Sequence, residues 1–332
     1  MTIIQFLTRL IRGKPQTNSL ILQLPVEIIV KILALLPFHS QLLVYQTCRP
    51  LRVITYEYFL TGKGNVTDLA RATREDKLLY LTPLARSLPD RWVCVNCCKL
   101  HQIDKWDTPL HDTFCYLFCQ DGMDTTEGYR VSRVGWPHYY PNHRHVELTL
   151  KYTRMEDIKR RHQKYLRRLL TPHHGPIMGY FDVAKGISGR ISVYPKVVNE
   201  RYLLLSIFTY VEGETKVSRQ SIKFLEICSH ISDQEICNIA YGWEKNINEA
   251  FETALSANNT QKFFSCGLCG TDYSIQASPE RFVICVWQDF GPEGTIHDVD
   301  WRAMVCENGL VHHEPGSVRK LYGPHVHSGE TY

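Results

Sequence analysis

One short stretch limits what this chain can fold into more than any other: Leu24-Pro25-Val26-Glu27-Ile28-Ile29-Val30-Lys31-Ile32-Leu33-Ala34-Leu35-Leu36-Pro37. Pro25 stands where a helix would begin, a position that tolerates a missing N–H. Pro37 stops the same helix, because the residue before a proline is pushed out of helical geometry. Between them, over 26–36, only Glu27 and Lys31 are polar. A helix apolar nearly all round is normally buried on every side. This one belongs to a unit of roughly 40 residues, too small to bury it alone. Part of its surface is therefore expected to meet another polypeptide.

After that helix come a Leu42-Leu43 pair and then Cys48-Arg49-Pro50-Leu51-Arg52-Val53-Ile54. Taken together, the Leu-Pro start, the acidic residue, the Ile/Leu helix, the proline break, the Leu pair and the Cys-Arg before a closing helix resemble an F-box. Pro50 interrupts the usual run after Cys-Arg, and Leu51 stands where many members carry Trp. The resemblance implies docking on the Skp-type linker subunit of a cullin ubiquitin ligase. Leu24, Pro25, Ile28, Ile29, Ile32, Leu33 and Leu36 would fill an apolar groove on the linker. Leu42, Leu43, Leu51 and Ile54 would pack the hairpin and extend the contact.

With 332 residues the chain is long enough for two domains. Its 44% hydrophobic and 22% charged content is that of a globular protein. A net charge of +4 is too small and too spread to mark a nucleic-acid binder. No apolar run approaches the ~20 residues of a membrane span. Arg9, Arg12 and Lys14 precede the first acidic residue, Glu27, within a leader that lacks a secretory layout. The protein is therefore expected in the cytoplasm or nucleus, where its 12 cysteines stay reduced.

The expected organisation is a tail over 1–18, the F-box over 19–62, a helical connector over 63–92, a Cys/His-containing domain over 93–325 and a tail over 326–332. Helices are expected over 68–72, 76–88, 155–170 and 249–256, and a long loop over 120–141. Strands are expected over 146–152, 187–194, 202–211, 221–227, 273–276 and 282–288. They follow one another without regular helices between them. The fold class is therefore α+β: a small helical N-terminal part, then a mainly antiparallel sheet domain.

Cys94-x-x-Cys97 and Cys266-Gly-Leu-Cys269 have the spacing of zinc knuckles, and together they supply four thiolates. Cys98, His101, Cys228 and His230 are alternative ligands. The layout Cys94-x-x-Cys97-x-x-Leu100-His101, Cys228-x-His230, Cys266-x-x-Cys269-x-Thr271-Asp272-Tyr273 and Val286-Trp287-x-Asp289 resembles F-box proteins abundant in filamentous fungi. That likeness implies an adaptor and names no substrate. Structural zinc is the cofactor the knuckles point to; reduced cysteines packed as small hydrophobes would give the same spacing.

Arg160, Arg161, Lys164 and Arg168 share one broad face of the 155–170 helix. They could read acidic or phosphorylated targets, or form an ordinary solvated face. His297-Asp298-x-Asp300 reads as a metal or acid–base set, or as a turn with polar caps. No Gly-rich phosphate loop, nucleophile elbow or H-E-x-x-H helix is present. The function expected is a non-catalytic adaptor that brings an unknown protein target to a ligase through the linker and a cullin. The alternatives are a binding or structural module that pairs with the linker alone, and a zinc hydrolase.

Overall fold

The computed structural model describes residues 20–62, 73–95, 97–110, 139, 141–177, 186–214, 217–218, 222, 226–232, 247–257, 259–305 and 309–324. Both expected tails, the 68–72 helix, nearly all of the 120–141 loop and most of the 221–227 strand lie outside these residues. The chain divides into two compact units, Met1–Leu88 with Val93–His101, and Pro89–Trp92 with Gln102–Tyr332.

The first unit opens with a single 3-10 turn, Leu20–Gln23, followed by α1 (Val26–Leu35), α2 (Phe38–Thr47), α3 (Arg49–Gly62) and α4 (Arg74–Ser87). Pro25 and Pro37 are the N-caps of α1 and α2. Pro50 falls in the first turn of α3, where no intrahelical N–H is needed, so it does not delay that helix. Thr73 caps α4 by accepting a 3.0 Å hydrogen bond from the Asp76 N–H. Val26, Ile29, Leu33, Leu51 and Ile54 make one small core. Leu42, Tyr80 and Leu81 make another, with Phe38, Leu43, Leu84, Val93 and Leu100 against it. Gln41 joins the two halves of the helical hairpin: its buried amide donates to the Leu33 and Leu36 carbonyls at 2.9 and 2.7 Å, at the end of α1 where the Leu33 carbonyl also accepts from the Leu36 N–H. Helix α4, which falls in the expected connector, packs on α2. The 93–101 segment also clusters with them and not with the sheet domain.

Strands β1 (Arg91–Cys94) and β2 (Lys99–Gln102) pair with each other. The second unit then runs α5 (His143–Arg154), α6 (Arg160–Leu169), β3 (His173–Pro176), β4 (Ile187–Val198), β5 (Arg201–Glu212), β6 (Glu226–Cys228), β7 (Ile231–Ser232), α7 (Ile247–Ser256), β8 (Lys262–Ser265), β9 (Thr271–Ala277), β10 (Arg281–Pro292), α8 (Val299–Val305) and α9 (Ser317–Tyr322). Six strands form one antiparallel sheet in the order β3-β4-β5-β10-β9-β8. This is the α+β architecture expected.

The sheet is covered on both faces. From β5, Tyr202, Leu204, Phe208 and Tyr210 enter a large core with α5, α7 and α8. Leu203, Leu205 and Ile207 alternate to the other face, where Val318 and Tyr322 of α9 cover them with Cys285 and Trp287. The 282–288 stretch is thus part of a central strand, buried along most of its length.

One expected strand is a helix. Val146, Leu148, Leu150 and Tyr152 alternate like a strand, but Thr149 and Lys151 between them are buried too, so α5 is enclosed nearly all round. Asn142 and His145 form a reciprocal capping box at its start.

Candidate functional site

Two kinds of site emerge. The first is on α1. Leu24, Ile28, Ile32 and Leu35 recur at helical spacing and face outward, with Ile28 41%, Ile32 36% and Leu35 86% exposed. Pro25, also exposed, starts this row, its carbonyl accepting from the Ile28 and Ile29 N–H groups at 3.0 and 3.2 Å. Ile29 and Leu33, on the opposite face, are only 1% and 2% exposed. Of the residues expected to fill the groove or extend the contact, Ile29, Leu33, Leu51 and Ile54 hold the helices to one another, and Leu42 is buried against α4. Leu36 and Leu43 are half-buried against the same two cores. Leu35 was missed by the sequence reading, although its spacing of seven from Ile28 marks the same face.

The second kind is metal-ligating. Cys94 and Cys97 lie in the first unit and Cys266 and Cys269 in the second, and each pair has candidate co-ligands within its own unit. Cys94 and Cys97 group with His101, the Cys97 Sγ lying 3.0 Å from His101 Nε2. Cys98 sits in a left-handed conformation with φ 50° between these strands, and its thiol lies 3.6 Å from the Val95 carbonyl. Cys266 and Cys269 group with Cys228 and His230, all four candidate ligand atoms lying within 4.8 Å of one another. The sequence names these residues as alternatives but cannot choose among them, because the choice depends on which hairpins meet.

In the second cluster both ligand pairs sit on tight turns. Cys266-Gly267-Leu268-Cys269 bridges β8 and β9, closed by a 2.8 Å bond from the Cys266 N–H to the Thr271 carbonyl. Cys228-Ser229-His230 joins β6 to β7. The Leu268 N–H points at Cys266 Sγ from 3.4 Å, and Thr271 Oγ1 lies 3.2 Å from Cys269 Sγ. Hydrogen bonds from Cys228 and Cys269 pull the Cys266 thiol down, whereas burial pushes Cys228 and Cys269 up. His230 Nε2 lies 3.1 Å from the Gly309 carbonyl. A Cβ at Gly309 would come within 2.4 Å of the Ala303 amide nitrogen, so only glycine lets the chain pass α8 this closely where its carbonyl meets His230.

The remaining motif residues build the surroundings. Asp272 is buried, which raises its pKa. Hydrogen bonds from His313 and from the Arg319 and Gly316 N–H groups outweigh burial and keep it below the ordinary carboxylate range, so it anchors the start of α9. Asp289 and Asp300 both hold Arg201, at 2.7 and 2.9 Å. Asp298 closes its own turn by accepting from the Thr295 N–H at 2.7 Å, and the His297 N–H donates to Thr295 Oγ1. The polar-cap reading of 297–300 therefore accounts for these groups.

The basic helix α6 is divided. Arg161 pairs with Asp90 at 2.6 Å, and buried His162 joins the same carboxylate at 2.7 Å. Arg168 lies over the Trp106 ring, 4.5 Å from its centre, and donates to the Lys105 carbonyl. Arg160 and Lys164 are exposed.

No protein-family model, curated protein or solved structure matches this chain. Among the described residues no helix is long and apolar enough to cross a membrane.

Proposed function

We propose that this chain is the substrate-recruiting F-box adaptor of a Skp–cullin–F-box ubiquitin ligase. The observation that supports it is the exposed row Leu24, Ile28, Ile32 and Leu35 on a helix whose other face is already used in the unit's own core. Water contact at such a row is unfavourable by roughly 25 cal/mol per Å² of apolar surface. An apolar groove on the linker would relieve that cost. The resemblance of residues 24–54 to an F-box points to the Skp-type subunit as the owner of that groove. The sheet domain would present a target, so that ubiquitin transfer is promoted by proximity and not by chemistry on this chain. On this reading the protein works in the cytoplasm or nucleus. A metal in the Cys/His groups would be zinc, which thiolate and imidazole ligands favour, and its role would be architectural: neither group includes a carboxylate to act as general base.

The test is affinity purification of the full chain with mass spectrometry, beside an Ile28→Glu/Ile32→Glu variant. Wild type should bring down linker and cullin together, and the variant neither. Linker without cullin would favour the module that pairs with the linker alone. Failure of wild type to capture a linker would overturn the proposal.

A further inference from the structure

We infer that Cys228, His230, Cys266 and Cys269 form a closed, structural zinc site that fastens the β6–β7 hairpin to the tip of the β8–β9 hairpin. The inference is independent of the adaptor reading, since it concerns only the sheet-containing unit.

Four observations carry it. The ligand count is right: three thiols and one imidazole fill a tetrahedral zinc and leave no open position. The spacing is close to that of a loaded site. Sulfurs around a tetrahedral zinc lie roughly 3.8 Å apart, given a Zn–S bond of about 2.3 Å. Here the ligand atoms already lie within 4.8 Å of one another. The surroundings suit thiolates and a metal-bound imidazole. The Leu268 N–H and the Thr271 hydroxyl lie beside Cys266 and Cys269. The Gly309 carbonyl can accept from His230 Nε2–H, which turns the Nδ1 lone pair to the ion in place of its long, 3.4 Å contact with the Ser229 hydroxyl.

The fourth observation is the small size of the hairpin among the described residues. β6 and β7 have three and two residues, too few to be stable as a ladder. Yet Ile227 and Cys228 are 0% and 1% exposed. Gln288 adds one hydrogen bond to the Ile227 carbonyl at 3.3 Å. A metal bond from each of Cys228 and His230 would add a fixed tie to the packing of Ile227, Cys228 and Ile231 in the large core. The bond would also close a long loop between residues 228 and 266, restricting the unfolded chain.

The experiment uses full-length protein purified without chelator, with metal content measured directly and cobalt(II) added to zinc-stripped protein as a spectroscopic probe. Cys228→Ser/His230→Ala should lose about one zinc per chain relative to wild type. Cys94→Ser/Cys97→Ser should keep that equivalent, which separates the two clusters. Cobalt should give intense tetrahedral bands with thiolate charge transfer in wild type. His230→Cys keeps four ligands; it should still bind, and should move the bands toward those of a four-thiolate site. This variant decides the matter even where the serine variants aggregate. Folded wild type without zinc would overturn the site. So would a Cys266–Cys269 disulfide in protein kept under reducing conditions, or a cobalt spectrum indifferent to His230→Cys.

Discussion

Arg144 grips Asp107 with two hydrogen bonds, Nε to Oδ2 at 2.6 Å and an η nitrogen to Oδ1 at 2.8 Å, and both side chains are buried. His145 Nε2 lies 3.2 Å from the same carboxylate, and Tyr165 donates to the Asp107 carbonyl at 2.6 Å. Burial alone would raise the Asp107 pKa; the bonds from Arg144 and His145 outweigh it and hold the group far below the carboxylate range. A depressed folded-state pKa gives stability that is complete above the unfolded value of about 3.9 and is lost as pH falls below it. Arg144→Met leaves that carboxylate buried without its partner and should cost about 3–5 kcal/mol in urea unfolding at pH 7. A cost under about 1 kcal/mol would mean that the pair is not a stabilising contact.

Lys151 gives a pH dependence of the same sign in a higher window, for a different reason: its neutral form, not its charged form, is favoured on folding. Burial lowers its pKa to about 8, while Nζ donates to the Arg91 carbonyl at 2.6 Å. The folded chain releases this proton before the unfolded chain does, so the contribution of Lys151 to stability should rise with pH between about 8 and 10.4. The measurement is the difference in unfolding free energy between wild type and Lys151→Met across that window. A flat difference would show that the ammonium is well solvated.

The β4–β5 turn offers a stabilising change. Asn199 and Glu200 have φ of 48° and 60°, both left-handed, in the two-residue hairpin between paired Val198 and Arg201. Asn tolerates this region; Glu has no local hydrogen bond to offset the strain. Glu200→Gly should raise stability by about 0.5–1 kcal/mol, read as a higher melting temperature. A lower one would contradict the turn geometry.

On α6, Arg160→Glu/Lys164→Glu should leave unfolding free energy within about 0.5 kcal/mol, because both groups are solvated. Arg161→Glu puts a like charge beside Asp90 and should unfold the chain at lower urea than the double variant does. The double variant is therefore the clean reagent for target capture. Loss of a captured acidic or phosphorylated target with the fold intact would assign this face to recognition. Unchanged capture at low and high salt would mark it as a solvated face.

The helices and strands with regular patterns were legible in the sequence. Prolines 25 and 37 bound α1 as expected, and Tyr202–Val211 falls inside β5. α5 was misread because buried Arg144 and Lys151 find partners outside the helix, at Asp107 and the Arg91 carbonyl, which local periodicity cannot show. The metal ligands were half legible. Knuckle spacing marked Cys266 and Cys269, but their meeting with Cys228 and His230 depends on β6 lying near β9 and β10, a tertiary fact. On α1, the apolar run showed that a helix exists but not which face the unit consumes. Ile29 and Leu33 could be separated from Ile28 and Ile32 only after Leu51 and Ile54 were placed beside them.

That separation gives the most direct test of the docking account. Purified full-length chain is titrated with the Skp-type linker by calorimetry, comparing wild type with Ile28→Ser/Ile32→Ser and with Leu24→Ala/Pro25→Ala. All three should unfold cooperatively, since these side chains lie outside the buried core. Both variants should bind the linker at least tenfold more weakly, about 1.4 kcal/mol or more. Linker affinity equal to wild type in both folded variants would contradict the account.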